Sequence, residues 1–152
     1  MLEALDQWVL AQALRRSVYV YPLVNALHIL SLGVLVTSAL LMDFRVLGLG
    51  RRLALDDVIG ALRPVAMLAL AGVVISGALL FIVQPLAYAS NPVFLAKMTL
   101  LALAVANAAA FVLGRRHDMP RSVVTRVQAI LSVFLWVAVL LSGRAIAFFG
   151  GD

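Results

Sequence analysis

The residue in this chain best suited to chemistry is His28, the one histidine inside an apolar run. An ionisable side chain is costly within lipid and marks a candidate site. His28 lies six residues past Pro22, about 9 Å into a helix that starts there. Asn25 and Tyr21 precede it by three and seven residues, on the same helical face. In a later run, Lys97 and Met98 follow Pro92 by five and six residues, and Ser142 and Arg144 return toward this level from a fourth run. These residues form one polar layer in the outer half of a bundle. Imidazole nitrogen binds haem iron and copper, and a thioether is a soft partner for either. His28 with Met98, or His28 from each of two protomers, is thus a candidate ligand set for haem b or a copper ion, with Asn25 beside it. Two other readings stay open. His28 can hydrogen-bond Asn25 or a neighbouring helix while Lys97 and Arg144 snorkel to the interface. Alternatively, the layer passes a small solute or a proton. With one membrane histidine per chain, a bis-histidine haem site within a single bundle is excluded, and His117 falls in a loop on the opposite side.

The remaining polar residues suggest structure more than chemistry. Asn107 sits deeper in its run, where an amide bonds across helices for about 1–2 kcal/mol or less. Gln128 and Ser132, four apart, make a polar stripe in the fourth run. Asp43 and Arg45 close the first run and are expected to form a structural ion pair, with Arg115 or Arg116 nearby. His117 and Asp118 read as an exposed loop next to a helix cap. No phosphate-binding glycine loop, dinucleotide fingerprint, His-Glu-x-x-His helix or nucleophile elbow occurs. The absence of cysteine rules out disulfides, thiolate metal sites and a cysteine nucleophile.

The elements that must position this layer follow from composition. Of 152 residues, 64% are apolar and 12% charged, against roughly 45–50% and 25% in a soluble domain; the mean hydropathy is +1.10. The chain therefore reads as a single all-α transmembrane domain, a four-helix bundle with a short N-terminal interfacial helix. The spans are expected at residues 21–42, 64–83, 92–113 and 120–149, each long enough to cross about 30 Å of hydrocarbon. Pro22, Pro64, Pro92 and Pro120 are placed as helix starts, Asn91 and Asp118 as caps, and Pro85 as the end of the second span. Residues 2–15, with Trp8, read as the interfacial helix, and residues 56–62 as a second short amphipathic helix. About 20 residues, among them Glu3 and Asp6, precede the first span, and no small-residue cleavage pattern follows it, so it does not read as a cleaved signal peptide. The net charge of +5 belongs to loops flanking apolar spans, a poor fit to nucleic acid. Arg45, Arg51, Arg52 and Arg63 lie between the first two spans, and Arg115, Arg116, Arg121 and Arg126 between the last two. Arg15, Arg16, Lys97 and Arg144 occupy the other side, so the basic loops are expected in the cytoplasm and both termini outside. Tyr19, Tyr21, Tyr88, Phe148 and Phe149 then form an outer aromatic belt. Gly72, Ser76 and Gly77, the alanines of the third span, and Ser142 with Gly143 are read as close-packing positions.

The spaced set Tyr21-Pro22, Ala26-Leu27-His28-Ile29-Leu30 with Gly33, Asp43-Phe44-Arg45 with Leu47-Gly48, Asn91-Pro92-Val93-Phe94 with Lys97, and Asn107 covers most of the chain. It resembles a family of small bacterial four-span inner-membrane proteins of unknown function. That family is distantly similar to CopD-type copper-resistance membrane proteins and to small b-type cytochrome membrane subunits. The resemblance implies a bacterial inner-membrane location and a haem- or copper-linked role centred on His28, with Lys97 and Asp43 as lesser candidates. The chain is expected to act as a homo-oligomer or with membrane partners. The competing expectation is a cofactor-free structural or assembly subunit.

Overall fold

A computed structural model describes residues 17–83, 85–115 and 123–149. Five helices follow one another: α1 (Val20–Leu47), α2 (Leu55–Val83), the short α3 (Pro85–Ser90), α4 (Pro92–Arg115) and α5 (Val123–Phe149). No strand occurs among the described residues. The four long helices are each long and apolar enough to cross a membrane, so the chain is an all-α transmembrane bundle. The expected interfacial helix at residues 2–15 lies outside the described residues, as does the loop with His117, Asp118 and Pro120.

Local chemistry accounts for most helix ends. The Ser17 hydroxyl accepts the Val20 N–H at 3.1 Å and stands in for a missing side-chain bond at the N-cap Tyr19. Asn91 caps α4 as expected, its Oδ1 accepting the N–H groups of Val93 and Phe94 at 2.9 and 3.3 Å. α1 stops at Gly48, whose φ of 106° is left-handed. The Gly48 N–H then reaches the Arg45 carbonyl and the Leu49 N–H the Phe44 carbonyl, the Schellman pattern that glycine permits.

The expected helix start at Pro64 is corrected: Pro64 lies inside α2, which begins at Leu55. The separate amphipathic helix expected at residues 56–62 is the first part of that same helix. A proline removes one backbone bond and crowds one carbonyl, which a long membrane helix absorbs by local adjustment. Asp56 and Asp57 in the first turn favour continuation, because carboxylates stabilise a helix N-terminus. At 29 residues, α2 spans about 43 Å, more than the hydrocarbon needs. Pro85, expected only as a terminator, also opens α3.

The helices pack in the order α2, α1, α5, α4. α1 is central, and its buried residues Leu32, Leu35, Val36 and Ala39 recur at the spacing of one helical face. They meet Ala69 and Val73 of α2, and Trp136 and Val139 of α5, in one core that Ala104 of α4 joins. Among the described residues no Cα of α2 lies within 8 Å of one in α4. Only side chains bridge them: the Phe81 and Phe94 rings stack at 5.6 Å, and Tyr88 of α3 lies 6.4 Å from Phe81 and 5.3 Å from Phe94. Among the described residues α2 and α4 are thus joined through this aromatic cluster and not by close backbone approach.

Candidate functional site

His28 lies on α1 against residues of α2, with Lys97 of α4 within electrostatic range. Its Nδ1 is 3.0 Å from the Ser76 hydroxyl of α2. The imidazole also lies close enough to α2 that a Cβ added to Gly77 would meet its Cε1 at 3.2 Å. Glycine at 77 is therefore what lets the ring approach. One turn deeper on α1, Ser31 presses against Gly72, where an added Cβ would stand 2.6 Å from the serine hydroxyl. From the other side Lys97 of α4 packs over Gly143 of α5, whose notional Cβ would be 3.6 Å from both Cε and Nζ. That brings the ammonium into electrostatic range of the imidazole.

The hydrogen bonds fix how the ring presents itself. A serine hydroxyl has one proton, and that of Ser76 goes to the Gly72 carbonyl one turn back. With its proton so placed, Ser76 accepts from the His28 tautomer whose Nδ1 carries the hydrogen, and the Val73 carbonyl of α2 is a second acceptor for the ring. A neutral ring in that tautomer keeps its lone pair on Nε2. A fixed Nδ1–H donor with a free Nε2 is how metal-ligating histidines are held. The same bond also ties α1 to α2.

The other predicted residues divide. Asn25 is exposed and does not bond His28, whose partner lies on another helix. Met98 is 45% exposed, while its neighbour Lys97 turns inward over Gly143. Arg144 is exposed at the same end of α5. Ser142 turns back to bond the Val139 carbonyl of its own helix at 3.0 Å. Tyr21 hydrogen-bonds Tyr88, and burial together with that neighbouring phenol pushes the Tyr88 hydroxyl above its ordinary value. The belt residues Phe148 and Phe149 have side chains outside the described set. Deeper in the bundle, the Asn107 amide donates to the Gln128 carbonyl of α5 at 3.1 Å, a cross-helix bond of the expected kind.

The expected Asp43–Arg45 ion pair does not form. The Arg45 Nε donates to the Leu53 carbonyl at 2.8 Å, whereas Asp43 faces the Ser132 hydroxyl of α5 and leaves its Oδ2 buried without a partner. Two residues apart on a helix, side chains diverge by about 200°, so each finds a different neighbour.

Sequence reading passed over Ser76 as a packing residue. It lies seven residues before the end of α2, about 10 Å from it. That matches the depth of His28 and was the available signal. No family model, curated protein or solved structure matches the chain. Among the described residues no group of three or more histidine, cysteine, aspartate or glutamate side chains comes together.

Proposed function

We propose that the chain is a multi-pass component of the bacterial inner membrane in which His28 acts as a ligand for haem iron, its termini lying on the periplasmic side. The observation that carries this reading is the Nδ1 bond to Ser76, which orients the ring and leaves Nε2 for a ligand. Haem iron can be held by a single protein imidazole, as in globins and peroxidases, and His28 supplies one. Lys97 would supply a cation for a propionate carboxylate, and Phe81, Tyr88 and Phe94 would supply aromatic surface. Haem held there would supply one-electron chemistry, and the chain's own part would be the His28 imidazole and its orientation by Ser76. Copper needs further ligands, which a second copy or a membrane partner would contribute.

The test is an absorption spectrum of detergent-purified protein with elemental analysis for iron and copper. A Soret band that His28→Ala abolishes, and that Ser76→Ala weakens by about 10–100-fold in haem affinity, supports the reading. Protein that stays free of iron and copper after supplementation during expression refutes it, and His28–Ser76 is then only a helix-to-helix tie. Topology is checked separately with single cysteines near residues 5, 55 and 152. The first and last should label from outside intact cells and the middle one should not. Labelling of residue 55 from outside would invert the bundle and place His28 toward the cytoplasm.

A further inference from the structure

The opposite end of the α1–α2 hairpin carries a second site, independent of His28. Between the last turns of α1 and the first two of α2 lies a cavity of about 550 Å³, within the roughly 300–1,000 Å³ range of small-ligand sites. Its wall is mostly apolar, including Leu41, Phe44, Leu53, Val58 and Leu62. Leu41, Phe44 and Leu53 are 48%, 37% and 62% exposed, so the cavity is open and part of its apolar wall is uncovered.

Two charged residues line this apolar space, Arg45 and Asp57. Arg45 is only 9% exposed. One of its five N–H donors goes to the Leu53 carbonyl, and among the described residues the others make no hydrogen bond. They are also not sealed off, because the single occluded, unpartnered side-chain atom among the described residues is the Asp43 Oδ2. Asp57 does not neutralise Arg45, as the two form no ion pair although they share the cavity. A guanidinium withdrawn from water with most of its donors unused is costly until an anion meets it, and its fork suits a phosphate. Outside the cavity, Arg51 folds its guanidinium over Gly48, 3.4–3.5 Å from where a Cβ would stand, and Arg52 is exposed. Both add positive potential near a phosphate.

We propose that this cavity binds one membrane phospholipid with a primary-amine, zwitterionic headgroup. The phosphodiester meets Arg45, the ammonium meets Asp57, and part of one acyl chain lies along Leu41, Phe44 and Val58. Charge complementarity selects this occupant. Asp57 is exposed and open to such an ammonium, whereas a fatty acid or a phosphatidylglycerol headgroup brings no cation to it. Such a lipid would brace the hairpin at the point where the chain turns through Gly48 and Gly50.

Native mass spectrometry tests this on protein delipidated in detergent, then titrated with phosphatidylethanolamine or phosphatidylglycerol of matched chains. One phosphatidylethanolamine should bind most tightly. Arg45→Met should weaken it about tenfold or more, the value of a charge-assisted hydrogen bond. Because Arg45 also holds the Leu53 carbonyl, Val58→Phe serves as a second variant, filling the cavity while leaving the guanidinium in place. It should weaken binding similarly, and Asp57→Asn should erase the preference over phosphatidylglycerol. Preference for phosphatidylglycerol in the wild-type protein, or binding unchanged by both Arg45→Met and Val58→Phe, would overturn the proposal.

Discussion

The tie between α1 and α2 through His28 and Ser76 can be weighed by a double-mutant cycle. Ser76 is 1% exposed, so neither water nor a lipid headgroup replaces its hydroxyl in Ser76→Ala. The lost interaction is one interhelical hydrogen bond of 3.0 Å. Such bonds in membrane proteins average about 0.6 kcal/mol and reach about 1.7. Two features hold the cost inside that range. The Gly72 carbonyl that Ser76 also contacts already belongs to the helix ladder, where a serine back-bond adds little. The Val73 carbonyl also lies within reach of the imidazole, so the ring keeps a weaker acceptor. Ser76→Ala should therefore cost about 0.6–1.7 kcal/mol. The coupling between His28→Ala and Ser76→Ala should be of the same size, since the second change has nothing left to remove. Reversible unfolding in mixed micelles, or steric trapping with tags on α1 and α2, measures all four corners. A coupling within the roughly 0.3–0.5 kcal/mol scatter of independent sites would show that the two side chains do not share a bond. The tautomer argument, and the ligand role built on it, would then fail.

Three other outcomes follow from the packing. Gly72→Ala places a Cβ 3.2 Å from the Ser31 Cβ and 2.6 Å from its hydroxyl; the hydroxyl can swing away but the carbon cannot, so overpacking should cost about 1–3 kcal/mol in unfolding, and Ser31→Gly in the same chain should restore most of it. Gly48→Ala forces a β-carbon onto a φ of 106°, and should lower stability by about 1–2 kcal/mol on the same measurement; an unchanged midpoint would contradict the left-handed cap. The Tyr88 phenol is held above its ordinary value, near 10, so the folded chain keeps a proton that the unfolded chain releases. Its contribution is intact below about pH 10 and lost as pH rises through the folded value; Tyr88→Phe should flatten that alkaline limb of the unfolding midpoint, and a limb unchanged by the substitution would assign the dependence to another group.

Much of the architecture was legible because it depends on features local to the chain. Four apolar runs of spanning length gave four spanning helices, and Asn91 before Pro92 gave the cap of α4. The miss at Pro64 has a plain cause. Proline at a helix start and proline inside a long membrane helix leave the same sequence mark, and the acidic first turn at Asp56 and Asp57 decides between them. Depth was legible too, since a helix rises about 1.5 Å per residue whatever surrounds it. That placed His28 and Lys97 at one level, where they come within electrostatic range, and would have placed Ser76 there as well.

What the sequence could not supply was direction around each helix axis. Asn25 shares a face with His28, yet the imidazole bonds Ser76, because α1 turns that face toward α2 where Gly77 leaves room for the ring. Lys97 and Met98 differ by one position, and packing against Gly143 turns the lysine inward while the methionine is left 45% exposed. Asp43 and Arg45 are likewise parted, one toward Ser132 of α5 and the other toward the loop at Leu53. Rise along an axis is a property of the chain's own backbone. Azimuth is chosen by which helices pack against which, and only the order α2, α1, α5, α4 determined it.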